Sequence, residues 1–65
     1  MISNRDKANC AAREVRNRKW VYARLVAEGR MKGDRADREI EIMAAIAEDY
    51  RRMAEAEEAQ ERLPL

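Results

Sequence analysis

The sequence predicts an all-α fold: an antiparallel hairpin of two long helices that dimerises into a four-helix bundle. Three observations predict it. Charged residues make up 42% of the 65-residue chain and aromatics 5%, with no Phe, no Thr and only three Val. That usage suits long helices and leaves strands little to be built from. Apolar residues recur at alternating three- and four-residue spacings in two segments, the signature of a helical seam. A short connection bounded by glycines, Gly29 to Gly33, separates the segments, and so brief a link makes two helices antiparallel neighbours. At this length the chain is one domain, residues 1–65.

The first helix is expected over residues 4–28. Ser3 and Asn4 are N-cap candidates, and Ser3 with Asp6 resembles a capping box in which Asp replaces Glu. No Pro or Gly interrupts the segment, and Gly29 follows as a residue able to take the positive φ of a helix C′ position. Ala8, Ala11, Val15, Arg18, Tyr22 and Leu25 form its seam, with Ala12 and Val26 beside them.

The connection is residues 29–33, and the second helix is expected over 35–62. Asp34 is its cap and Asp37 stands at N3, acids in the first turn where the helix dipole favours them. Ala36, Ile40, Met43, Ala47, Tyr50 and Ala54 form its seam. No breaker follows until Pro64. The stretch Glu55 to Arg62 is nearly all Glu, Ala, Gln and Arg and is expected to fray, as is the tail 63–65.

Folding about the connection sets Tyr22 near Ile40, Val15 near Ala47 and Ala8 near Ala54, so that large residues face small ones. Arg18 interrupts the seam. It is expected to snorkel outward and pair with Glu14, four residues earlier, or with Glu41 or Glu48 across the hairpin. The alternative is that it sets register or orientation, as polar seam residues do in some bundles. Ile42, Ile46 and Met53 form a second stripe on helix two, roughly a quarter-turn from the seam, and Val21 and Cys10 add to it from a flank of helix one. One hairpin cannot cover this surface. A homodimer buries it by symmetry, with Ile42, Ile46, Met53 and Val21 as the interface.

The charge is split. Residues 1–35 hold ten Lys/Arg against four acids, net +6, and residues 36–65 hold four Arg against nine acids, net −5. The overall +1 conceals a dipolar molecule whose basic helix can face an acidic partner.

Catalysis is not expected. The chain has no His and no Thr, and its one Ser lies at a helix start. Cys10, the only cysteine, has no His to activate it and reads as a small packing residue. Two glycines four apart match no phosphate-binding loop. The Glu-x-x-His pattern of a carboxylate-bridged metal bundle cannot be supplied, and Glu57 and Glu61 read as solvated glutamates. No metal, cofactor or small-molecule substrate is expected. No run approaches the ~18 apolar residues of a membrane span, and no apolar secretory stretch opens the chain. The reading is a soluble, intracellular protein.

Trp20 is the residue most suggestive of function. It lies on the face of helix one opposite the seam, flanked by Arg13, Arg16 and Arg24 at −7, −4 and +4. An Arg guanidinium over an indole makes a cation–π contact, and Trp and Arg dominate binding hot spots. The competing structural reading is that Trp20 stacks under Arg16 and Arg24 or packs at a subunit contact.

The stretch Glu14–Tyr50 resembles small proteins found in phage and prophage gene sets of proteobacteria. The resemblance covers a little over half the chain and is carried by Val21-Tyr22-Ala23-Arg24-Leu25-Val26-Ala27-Glu28-Gly29-Arg30-Met31 and Ala36-Asp37-Arg38-Glu39-Ile40. It implies a phage-encoded accessory protein of the bacterial host cytoplasm, of the kind that binds host or phage macromolecules and in some cases inhibits host defence. That family has no established activity, so no functional residue carries over. The leading expectation is a non-enzymatic homodimeric interaction module that presents Arg13, Arg16, Trp20 and Arg24 to an acidic protein surface. The alternative is nucleic-acid binding through the basic first helix, with the arginines on phosphates and the indole stacked on a base.

Overall fold

Two helices lie side by side along almost their whole length. The computed structural model describes residues 1–62. α1 spans Asn4–Ala27 and α2 spans Gly33–Glu61, and the hairpin measures 57 × 17 × 16 Å. No strand occurs among the described residues. The tail 63–65 expected to fray lies outside them.

The start of α1 follows from Ser3. Its backbone is extended (φ −75°, ψ 158°), and its Oγ accepts the Asp6 N–H at 3.0 Å, satisfying one of the donors that a helix start leaves open. Glu28 closes the helix as C-cap, and Gly29 follows with φ +71°. The Gly29 N–H donates to the Val26 carbonyl at 3.0 Å and the Arg30 N–H to the Leu25 carbonyl at 2.8 Å. This pair of bonds is a Schellman closure, which needs a left-handed residue at C′.

The start of α2 differs from expectation. Lys32, not Asp34, is the N-cap, and no side chain caps the helix. The Ala36 N–H donates to the Lys32 carbonyl at 3.0 Å, which draws Gly33 and Asp34 into the first turn. The Asp34 carboxylate instead accepts the N–H of Arg35 at 2.9 Å. It still sits where the helix dipole favours an anion. The connection therefore runs from Glu28 to Lys32. At the other end α2 is helical through Glu61, one residue short of the expected bound.

Every one of the twelve seam residues is buried or half-buried. Tyr22 and Ile40 line one groove between the helices, beside Ala36. Val15 and Ala47 line another, with Ala8, Ala12 and Ala44. Val26, placed beside the seam by its spacing, is instead exposed. Arg18 donates to Glu14 at 3.0 Å and to the backbone carbonyl of Glu39 at 3.3 Å, with the Glu39 carboxylate at 3.8 Å. Its partner across the hairpin is thus Glu39, not Glu41 or Glu48. The reason is helical phase: Glu39 precedes the seam residue Ile40 on the flank that Arg18 reaches. Glu48 is held within α2 by Arg51 and Arg52, and Glu41 lies beside Arg38.

The open end is clasped by polar contacts. Arg5 makes a two-point contact with the Glu58 carboxylate at 2.7 and 3.0 Å, and Asn4 hydrogen-bonds Glu57. Lys7 lies over the Tyr50 ring, 5.4 Å from its centroid. The core between the helices is thin. Among the described residues, Ala8, Ala11, Ala36 and Ala54 are the only buried apolar ones, and no large side chain is fully buried.

Candidate functional site

Two surfaces carry exposed apolar groups, and they lie on different sides of the hairpin. The first is the outer edge of α1. A spacing of four residues stacks Arg16, Trp20 and Arg24 along one ridge. Trp20 is 65% exposed. The Arg24 guanidinium lies 5.3 Å from the centre of the indole, within cation–π range. Arg16, Lys19, Ala23, Arg24 and Ala27 complete an open groove around the ring, about 570 Å³ in volume. Arg24 also stands 3.9 Å from Glu28, a long contact between two exposed side chains. Among the described residues no carboxylate pairs with Arg13, Arg16 or Lys19. Arg13, two turns before Trp20 and nearly in phase with it, lines the neighbouring groove instead.

This edge belongs to a strongly basic helix. α1 carries seven basic and two acidic side chains, whereas α2 carries four basic and ten acidic ones. Three of the ten acids of α2, Glu41, Glu48 and Glu55, are engaged by its own arginines. Arg51 bridges Glu48 and Glu55, and Arg52 reaches Glu48. Hydrogen bonding from Arg51, helped by Arg52, holds the Glu48 carboxyl down at about 2. At the open end the Arg5 guanidinium likewise holds the Glu58 carboxyl below its ordinary range, and bonding to Glu14 keeps Arg18 firmly protonated.

The second surface is a broad face formed by both helices. Cys10, Ala11, Met43, Ile46 and Tyr50 line a groove of about 630 Å³, closed at one end by Ile2. Ile42 and Met53 extend the stripe along α2, and Ile42, Ile46 and Met53 are each 40–49% exposed. Val21 lies about three turns after Cys10, nearly in phase with it, and is half-buried. The four residues expected at an oligomer interface therefore share one side of the hairpin. Cys10 is a free, exposed thiol on the same side.

No protein-family model matches the chain, and neither curated proteins nor solved structures yield a match. Among the described residues no three His, Cys, Asp or Glu side chains gather as a metal-binding group, and no helix is long and apolar enough to cross a membrane. The contacts not expected from the sequence include the Arg5–Glu58 clasp and the Lys7–Tyr50 stack. The signal for the first was present. The register that sets Ala8 and Ala54 level also brings Arg5 level with Glu58.

Proposed function

We propose that the chain is a non-enzymatic interaction module, a homodimeric helical hairpin whose α1 edge binds an acidic protein surface. One observation carries this reading: the indole of Trp20 stands open among cations of which Arg16 and Lys19 have no carboxylate partner in the described hairpin and Arg24 has only a long contact with Glu28. A bulky aromatic side chain left wet gains most from a partner that covers it, and neighbouring guanidiniums favour a partner bearing carboxylates. In the phage setting implied by the resemblance, the partner is a host or phage protein of the bacterial cytoplasm, and its capture modulates or inhibits a host system.

Nucleic-acid binding is the second reading. It is favoured by the same open indole, which can stack on a base while Arg13, Arg16 and Lys19 meet phosphates. The acidic α2, facing any polyanion that wraps the hairpin, disfavours it.

Trp20 is the only tryptophan, so its fluorescence reports this edge alone. Poly-glutamate is expected to shift that emission, and the Arg16→Ala, Arg24→Ala double variant to weaken the binding about tenfold or more. A shift with single-stranded DNA and none with poly-glutamate would favour the second reading, with affinity falling ~0.7 log units per neutralised phosphate on a log salt axis. No response to either probe would refute the edge as a binding site.

A further inference from the structure

We propose that the second copy lies across the Ile42/Ile46/Met53 face with both loops at the same end, so that each basic α1 rests on the acidic α2 of the other copy. This rests on the dimer of the preceding section and specifies its architecture. Area argues for a second copy as the occupant. A compact monomer of 7.6 kDa exposes about 4,300 Å². This hairpin exposes 5372 Å². The excess is about 1,000 Å² per copy, and twice that is the size of a stable specific interface. The groove lined by Cys10, Met43, Ile46 and Tyr50, with its flanking stripe, is the apolar part of the surface available to supply it.

Face-to-face stacking of two identical hairpins leaves two choices for the twofold axis. An axis across the hairpins sets α1 on α1 and α2 on α2, with the loops at opposite ends. An axis along the hairpins sets α1 on α2 twice, with the loops together. Charge separates them. α1 carries net +5 and α2 net −6 over their helical residues, from seven basic against two acidic and four basic against ten acidic side chains. With the loops together, the four helices alternate in sign around the bundle and all four neighbouring pairs attract. With the loops apart, two of the four pairs join like-charged helices. Helix axes in such a bundle are about 8–10 Å apart, which is near the screening length of physiological salt, so the difference is felt.

The apolar stripe agrees. The register that brings Tyr22 to Ile40 puts Cys10 level with Met53 and Val21 level with Ile42. With the loops together, Cys10 and Val21 of one copy therefore meet Met53 and Ile42 of the other, and Glu28 meets Arg35. A loops-apart dimer centred on Ile46 sets Met53 against Glu39 instead. Trp20 stays outside in the proposed arrangement, so each dimer displays two basic edges on opposite corners.

The test is a loop-to-loop distance. Lys32 makes no side-chain capping bond, so Lys32→Cys in a Cys10→Ala background accepts a spin label at little structural risk. Arg30→Cys is a second site in the same loop, and circular dichroism checks helicity in both. Light scattering on the labelled samples is expected to give twice the chain mass, and dipolar spectroscopy a separation below about 30 Å. A dimer with separation above about 40 Å, set by the 1.5 Å rise per residue of helices this long, overturns the arrangement but not the dimer. A monomeric mass for the unsubstituted chain overturns both, and leaves binding at the Trp20 edge to be judged by its own fluorescence.

Discussion

Trp20 and Ile46 are both large, apolar and open to solvent, yet their surroundings differ. Trp20 projects from the outer edge of α1, ringed by Arg16, Lys19 and Arg24. Ile46 belongs to a continuous stripe with Ile42 and Met53 and opens onto a groove shared with Cys10, Met43 and Tyr50 of both helices. A single ring among cations offers little area but strong directional chemistry, which suits a partner of opposite charge. A long apolar face offers area with little electrostatic preference at its centre, which suits burial against a like surface. The two exposures therefore serve different contacts, and substitution can separate them.

The largest effect is expected from Ile46→Glu. A carboxylate at the centre of the apolar face should drop the molar mass from dimer to monomer in light scattering. Because the core between the helices consists of alanines, helicity should fall with it at low micromolar concentration. A variant that stays dimeric would place the interface elsewhere and collapse the distinction between the two surfaces. Next comes Ala54→Leu, in the seam that underlies both surfaces. Ala54 is 1% exposed, so overpacking should cost about 1–3 kcal/mol, read as a melting temperature lower by ~4–8 °C per kcal/mol. Trp20→Ala sharpens the contrast from the other side. The indole is wet, so stability should move by less than about 1 kcal/mol. The dimer mass should hold, and binding of poly-glutamate, followed by calorimetry, should be lost. If Trp20→Ala unfolds the chain, the ring is structural and its edge is no binding site.

Acid gives the smallest expected effect. Glu48 titrates near 2 in the fold against an ordinary 4.5, and Glu58 is also depressed. A carboxyl depressed in the folded state stabilises it fully above the ordinary value and loses that contribution as pH falls toward the folded one. Melting temperature should therefore decline between about pH 4.5 and pH 2. The decline should be modest, because these ion pairs are solvent-exposed. Glu58→Gln should shrink it and speed amide exchange near Asn4–Ala8, where the clasp holds the open end.

Much of this was legible along the chain. The twelve seam positions follow from spacing alone, because a helix of 3.6 residues per turn brings residues three and four apart to one side. Ser3 as N-cap and Gly29 at C′ were legible because each satisfies a local backbone requirement that few residue types meet. The second helix start was not. Asp34 has cap chemistry, but a carboxylate can serve the first turn from within it, and the backbone there is extended at Lys32 rather than at Asp34. Arg18 shows the same limit across the hairpin. Its partner Glu14 lies one turn away on the same helix and was named correctly. Glu39 was missed because choosing among Glu39, Glu41 and Glu48 requires the relative rotation of two helices. At the candidate site, the Arg16–Trp20–Arg24 ridge was readable from spacing, whereas the place of Arg13 on the lining of the neighbouring groove was not.

By itself, then, the sequence determined which residues are helical, where the chain turns, which stripe of each helix faces its neighbour, and how charge divides between them. These properties depend on neighbours within about a turn or on a periodicity that repeats along the chain. Tertiary structure alone decided how exposed each side chain is, which carboxylate meets Arg18, that the open end is clasped by Arg5 and Glu58, and that the buried core is only alanine-deep. Those depend on the distance and rotation between two rods, which are set by the sum of many weak packing contacts rather than by any one residue.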